Sequence, residues 1–238
     1  MTRGRLYLIP TYLDTSNEPT VIPEDVKTII KALSHFVVEN VRTARRFVSS
    51  LRLGLTIEEL HFALLDKHSD TQAIDTLLAP LLQGQSVGLM SEAGLPCLAD
   101  PGNLAVAWAH RQQIEVVPLV GASSIQLALI ASGFNGQQFS FHGYLPIDKK
   151  ERAAKLRKLE REMTKTGYTQ LFMETPFRNN QLLASIYEQL NPDTLLSVST
   201  NLTGAQERIR TQSVREWKKE SPDLHKAPSI FSLGRFLN

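Results

Sequence analysis

Residues 86–102 read SVGLMSEAGLPCLADPG. The run Ser86 to Met90 is short and apolar, follows the turn residue Gly84, and precedes a helical pattern from Asn103, which makes it a buried strand of a parallel sheet. The loop after it, Ser91 to Gly102, holds two glycines and two prolines and almost no bulky polar side chain. Strand-to-helix connections usually take about two to six residues, so this loop is longer than a turn requires. In open α/β sheets ligands bind at the carboxyl ends of strands, where backbone amides and carbonyls reach a crevice without side chains in the way. The loop is therefore a candidate ligand cradle.

Working outward, short apolar runs alternate with helical patterns. RLYLIP (5–10) is a first strand, Pro23 opens a helix carrying Val26, Ile29, Ile30 and Leu33, and HFVVEN (35–40) is a second strand. Arg42 to Leu51 reads as a helix. Thr56 with Glu59 fits a capping box that opens another, and Ser69 caps a third, which Pro80 is expected to kink or split. The quoted strand and loop lead to a helix with Leu104, Val106 and Trp108, then to the strand IEVVPLV (114–120) and the helix ASSIQLALIASGF (122–134). Such βα alternation implies a parallel sheet.

From residue 119 the pattern changes. FSFHGYLP (139–146) is extended, 147–165 a long helix, YTQLFMET (168–175) a strand and 177–190 a helix; TLLSVST, ERIRTQSV and PSIFSLG then give three strands with little helix between them. Strands so closely spaced must pair antiparallel in part. The expected fold is thus two α/β domains: a parallel-sheet domain over 1–118 and a mixed-sheet domain over 119–238.

The totals narrow the function. A chain of 238 residues with 42% hydrophobic residues buries a substantial core, and a net charge of +2 does not by itself argue for nucleic acid. The single cysteine, Cys97, excludes an internal disulfide and a cysteine metal cluster. No stretch approaches the roughly 18 apolar residues of a membrane span, and the N-terminus lacks a signal-peptide pattern, so a cytoplasmic protein without membrane association is expected. His35, His61, His68, His110, His142 and His225 lack ligand spacing, so no metal is expected. No GxGxxG follows the first strand and no Walker A lysine motif is present.

Four stretches occur in order: LYLIPTY, FVVENVRTARRFVS, LMSEAGLPCLADPG with VVPLVGASSIQLALIASGF, and FHGYLP followed by FMETPFRNN. In these, over about residues 5–233, the chain resembles the tetrapyrrole methylase superfamily, and within it the branch of ribosomal RNA small subunit methyltransferase I. The resemblance implies a methyltransferase of ribose 2′-hydroxyls in ribosomal RNA, a homodimer, and S-adenosylmethionine held in a cleft between two α/β domains. It assigns the cofactor to Ile9 and Pro10, to Gly94, Leu95 and Leu98, to Gly121, Ala122, Ser123 and Ser124, and to Met173. A folded sulfonium nucleoside needs an apolar slot and close backbone hydrogen bonds, which small residues permit.

Several branch motifs are altered. S-D-A-G-T-P is here Ser91-Glu92-Ala93-Gly94-Leu95-Pro96, E-D-T-R is Glu39-Asn40-Val41-Arg42, E-S-P-H-R is Glu174-Thr175-Pro176-Phe177-Arg178, R-E-L-T-K is Thr200 to Gly204, and T-P-I-G-N is Thr11 to Thr15. Methyl transfer to a hydroxyl gains from a general base, for which Glu39, Glu92, Glu174 and nearby His142 are the candidates. Arg42 and Arg178 can hold a phosphate, orient those carboxylates, or form surface ion pairs. In KKERAAKLRKLEREMTK (149–165) eight basic residues face three glutamates. Ala153, Leu156, Leu159 and Met163 make a packing stripe that leaves the charges outside, so Lys150, Lys155 and Lys158 are candidate RNA contacts, against the reading of a solvated helix with pairs such as Lys158 and Glu162. Trp108, in an apolar helix, is assigned to a dimer interface. The same chemistry on a small molecule such as a tetrapyrrole, and a non-catalytic module binding a nucleotide-like ligand, are the alternative functions.

Overall fold

The computed structural model describes residues 3–14, 22–65 and 71–236. The chain divides into two compact units, Met1–Ser123 and Ser124–Asn238. Among the described residues each unit holds a five-stranded sheet, the first parallel and the second mixed.

In the first unit the strands are β1 (Arg5–Leu8), β2 (His35–Val38), β3 (His61–Leu64), β4 (Val87–Met90) and β5 (Glu115–Pro118), in the order β3-β2-β4-β1-β5. Helices α1 (Glu24–Lys31) and α2 (Val41–Ser50) pack with Phe36, Val38 and Met90. Helices α3 (Thr71–Leu82) and α4 (Gly102–Arg111) pack with Val37, Val87 and Leu89. Successive strand residues thus feed two separate cores, and this two-sided burial is why β4 is apolar throughout. The connection leaving β2 runs outward to β3, whereas that leaving β4 runs the other way, past β1 to β5. A reversal of this kind opens a crevice at the strands' carboxyl ends.

Three local expectations are corrected here. No helix follows Thr56, which makes no capping hydrogen bond; a single 3-10 turn (Ile57–Glu59) leads into β3 instead. Parallel pairing with β2, together with stacking of His61 on His35 and Phe62 on Phe36, outweighs the local helix signal. Helix α3 runs through Pro80 without breaking; Ser69, its expected cap, lies outside the described residues, as do His68 and Thr15. Trp108 does not face outward: it is 2% exposed, and its indole donates to Asp75 Oδ1 at 2.5 Å within the first unit. Asn40 caps α2 by accepting from the amides of Arg42 and Thr43.

In the second unit β6 (Phe139–Tyr144), β7 (Thr169–Met173), β8 (Leu195–Thr200), β9 (Arg208–Ser213) and β10 (Ser229–Gly234) are ordered β6-β7-β10-β8-β9. Only β6 with β7 is parallel; β10 pairs antiparallel with β7 and β8, and β8 with β9. Helix α5 (Ser124–Ala131) packs on β8 and β10. Helices α6 (Lys149–Thr166), α7 (Asn179–Gln189) and α8 (Val214–Glu220) share a core with Phe172, Leu196, Val198 and Phe231. Helix α8 was not among the sequence-based elements, although Ser213 and Glu216 form its capping box.

Candidate functional site

At the carboxyl edge of the first sheet, three loops close on one another. Ile9 continues β1 by donating to Leu89 O at 2.9 Å, and the next amide in register, Thr11, donates to Gly94 O at 2.9 Å. Leu119 donates to Leu8 O at 3.0 Å, which brings Gly121 against Pro10. A Cβ on Gly121 would stand 2.1 Å from Pro10 Cβ, so only glycine fits. Gly94 has φ +73°, and a Cβ there would meet Leu13 Cδ2 at 2.8 Å and Ala122 O at 3.2 Å. The structure therefore gathers Ile9, Pro10, Gly94, Gly121 and Ala122 at the ends of the three neighbouring strands β4, β1 and β5. Ile9, Pro10 and Ser123 are buried, Leu95 is half-buried, and Leu98 is exposed.

This knot fits a ligand rich in acceptors. The amides of Leu95, Gly121 and Ala122 have no hydrogen-bond partner among the described residues, and an unpaired N–H persists only where solvent or a ligand satisfies it. Carboxylate and ribose oxygens such as those of S-adenosylmethionine are acceptors of this kind.

Beside the knot, β2 and β4 end in carboxylates. The Glu39 amide donates to Met90 O at 3.3 Å, and Glu39 Oε2 accepts the Glu92 amide at 3.1 Å. Glu39, Ser91, Pro96 and Asp100 line a small crevice. Burial raises the Glu39 pKa above the ordinary carboxylate value; the bond from Glu92 opposes this, and the charges of Asp100 and Glu92 add to it. Glu92 itself is exposed. Asp100 is absent from the sequence-based candidates. Its Oδ1 accepts the amides of Cys97 (3.0 Å) and Gly102 (2.7 Å), and its Oδ2 is buried without a partner among the described residues. The Asp-Pro-Gly at the end of the quoted loop was the available signal. Cys97 and Ala99 hold φ of 71° and 67°, conformations unfavourable for residues with a Cβ, so the loop carries local strain. Burial and Asp100 push the Cys97 thiol up to about 12, which keeps it a thiol. Arg42 is exposed at the start of α2 and has no ion-pair partner among the described residues.

The remaining candidates lie in the second unit. Ser124 is the first residue of α5 and Met173 the last of β7; both are half-buried. Glu174 follows Met173, and its side chain is 1% exposed. One oxygen of it, Oε1, receives Arg178 Nη2 at 2.6 Å, Arg178 Nε at 3.1 Å and the Thr175 amide at 2.7 Å. The arginine thus orients a buried carboxylate at the corner between β7 and α7. His142 Nε2 meets Gln170 Oε1 at 2.7 Å, and Lys155 Nζ meets its Nδ1 at 3.4 Å. Gln170 Nε2 is already committed to Tyr168 O, so its oxygen faces His142 and Nε2 carries the proton. Burial is the main cause that lowers the His142 pKa. Lys158 pairs with Glu162 at 3.7 Å, and Lys150 is exposed.

The family model for tetrapyrrole (corrin/porphyrin) methylases matches residues 22–218. The chain belongs to that family. A protein of Pasteurella multocida named "Ribosomal RNA small subunit methyltransferase I" is 30% identical over 230 residues, covering 95% of this chain and 78% of the relative. One of the same name from Vibrio cholerae is 28% identical over 228 residues, covering 94% and 75%. The crystal structure of the methyltransferase CobJ matches the fold with a TM-score of 0.63 at 16% identity, covering 99% of this chain and 97% of that one. The protein is a methyltransferase of the tetrapyrrole methylase family, whose methyl donor is S-adenosylmethionine. No helix among the described residues is long and apolar enough to cross a membrane, and none of their His, Cys, Asp and Glu side chains cluster in a metal-holding group.

Proposed function

We propose that this methyltransferase modifies RNA, at a ribose 2′-hydroxyl of ribosomal RNA, with the donor held at the knot of Pro10, Gly94 and Gly121. The observation that supports the donor site is the set of amides at Leu95, Gly121 and Ala122, without a partner among the described residues, at the strand ends that also carry the Glu39 crevice. Ile9, Leu98, Ser123, Ser124 and Met173 are assigned to the same donor by the family resemblance. S-adenosylmethionine supplies a sulfonium methyl group when bound.

Glu39 is the general base of the proposal. Its carboxyl is half-buried, and a pKa raised above the ordinary carboxylate value makes it a stronger base for a hydroxyl proton than a free carboxylate. Glu92 holds Glu39 through its amide, and Glu174 is committed to Arg178. The RNA target rests on the names of the relatives and on α6, which leaves Lys150, Arg161 and Lys165 exposed with no ion-pair partner among the described residues. Lys155 and Lys158, engaged with His142 and Glu162, and Arg42 serve as secondary phosphate contacts.

A homodimer in the cytoplasm completes the reading. Tyr144 and Ile147 are 54% and 71% exposed at the end of edge strand β6, an apolar surface that a second copy would cover. Sedimentation giving twice 26.6 kDa supports the dimer, and a monomer overturns it. The RNA reading is tested by mapping 2′-O-methyl groups in ribosomal RNA from cells with and without the gene, alongside methyl transfer by purified protein. Identical maps together with methylation of a small molecule would reassign the substrate.

A further inference from the structure

Away from these residues, the second unit contains a groove of about 460 Å³ lined by Tyr187, Pro192, Val214, Arg215, Lys218 and Lys219. Its floor is fixed. Ser213 and Glu216 cap α8, Trp217 is buried and donates from Nε1 to Leu196 O at 2.8 Å, and the Tyr187 hydroxyl donates to Trp217 O at 2.9 Å. Its rim is positive. Arg215, Lys218 and Lys219 stand at i, i+3 and i+4 and so share one helix face. Arg215 meets Asp193 at 2.8 Å, whereas Lys218 and Lys219 have no ion-pair partner among the described residues. The two carboxylates of α8 are engaged elsewhere: Glu216 with the Ser213 cap, and Glu220 with Arg208 and Arg210. Lysines in a last helical turn also favour the helix dipole. That effect accounts for the charges but not for a ring and a proline walling a groove beside them.

We propose that this groove holds one nucleotide of a single-stranded RNA segment, with phosphates on Lys218, Lys219 and Arg215 and a base against Tyr187 and Pro192. The volume lies within the roughly 300–1,000 Å³ range of ligand sites. Cations beside an aromatic face are the means by which proteins hold unpaired nucleotides. The inference rests on the RNA reading above and adds an anchoring point remote in sequence from the cofactor residues, set on the helix layer that also carries α6.

The experiment titrates a single-stranded oligonucleotide from small-subunit ribosomal RNA against the full-length protein at several salt concentrations. It compares wild type, the double variant Lys218→Gln/Lys219→Gln, and Tyr187→Leu. The double variant is expected to reduce the slope of log affinity against log salt by about 1.4, two single-strand contacts at about 0.7 each. Tyr187→Leu is expected to weaken binding at least about fivefold without changing the slope. S-adenosylmethionine affinity stays at the wild-type value in both. Variants that remain folded and bind RNA as wild type does, with the same slope, overturn the groove while leaving the RNA reading intact. A wild type that binds no RNA at low salt overturns both. Equal binding of polyglutamate, with the same losses in the variants, would assign the groove to an acidic protein and overturn the nucleotide assignment.

Discussion

Replacing Gly121 with alanine tests the knot most directly. The new methyl carbon would stand 2.1 Å from Pro10 Cβ and 2.5 Å from Pro10 Cγ, and carbon atoms rest at about 3.5–4.0 Å, so the two loops must part by about 1.4 Å. Neither side can yield by a rotamer change, because one partner is a proline ring and the other a Cβ fixed to the backbone. Overpacking of this kind destabilises by about 1–3 kcal/mol. At about 2–4 °C per kcal/mol for a chain of this size, the melting temperature should fall by several degrees. The displacement also moves the Gly121 and Ala122 amides away from the ligand. Each hydrogen bond to a charged group contributes about 1.5–3 kcal/mol, so S-adenosylmethionine affinity should drop at least about tenfold. Calorimetric titration and thermal unfolding read the two effects. Two controls separate their causes: Gly54→Ala, where φ is +74° but nothing lies within 4 Å, should cost about 1 kcal/mol of stability and leave affinity unchanged. Gly136→Ala, with open space, should change neither. Affinity of Gly121→Ala within twofold of wild type would refute the placement of the cofactor.

Glu39→Gln should lower turnover about a hundredfold to ten-thousandfold with cofactor affinity retained. A carboxyl whose folded pKa is raised stabilises the fold below its unfolded value and loses that contribution as pH rises through the folded one, so Glu39→Gln should also melt higher than wild type at neutral pH; a lower melting point would contradict its burial as the cause. Arg178→Met leaves the Glu174 carboxylate buried and uncompensated and should destabilise by about 3 kcal/mol in denaturant titration, the low end for a buried pair because the arginine side chain is 26% exposed; a loss under about 1 kcal/mol would show the pair to be dispensable. Burial lowers the pKa of both His35 and His142, so each adds stability above the ordinary imidazole value of about 6.5 that is lost as pH falls from there through the lowered values of the folded state. A His35→Asn/His142→Asn variant should show a flatter fall in melting temperature over that interval, and an unchanged profile would assign the dependence to other groups.

The alternation of apolar runs with helical patterns, the change to closely spaced strands after residue 119, and the bare loop after β4 could all be read locally, because each depends on side-chain periodicity within one element. The close-packed glycines of the proposed donor site are legible for the same reason: a glycine against Pro10 or at φ +73° leaves its mark as a glycine in the chain. What followed two similar local signals could not be read that way. Thr56 with Glu59 and Ser213 with Glu216 both spell a capping box. The second caps α8, because Trp217, about one turn beyond Ser213, buries itself and bonds Leu196 O. The first caps nothing, because His61–Leu64 is drawn into β3 beside β2. Tertiary structure likewise buried Trp108 against Asp75, tied Arg178 to Glu174, and set Glu39 beside Asp100 and the Glu92 amide. Pairing across a sheet and the charge environment of a carboxylate depend on residues tens of positions apart. Only the folded chain brings those together.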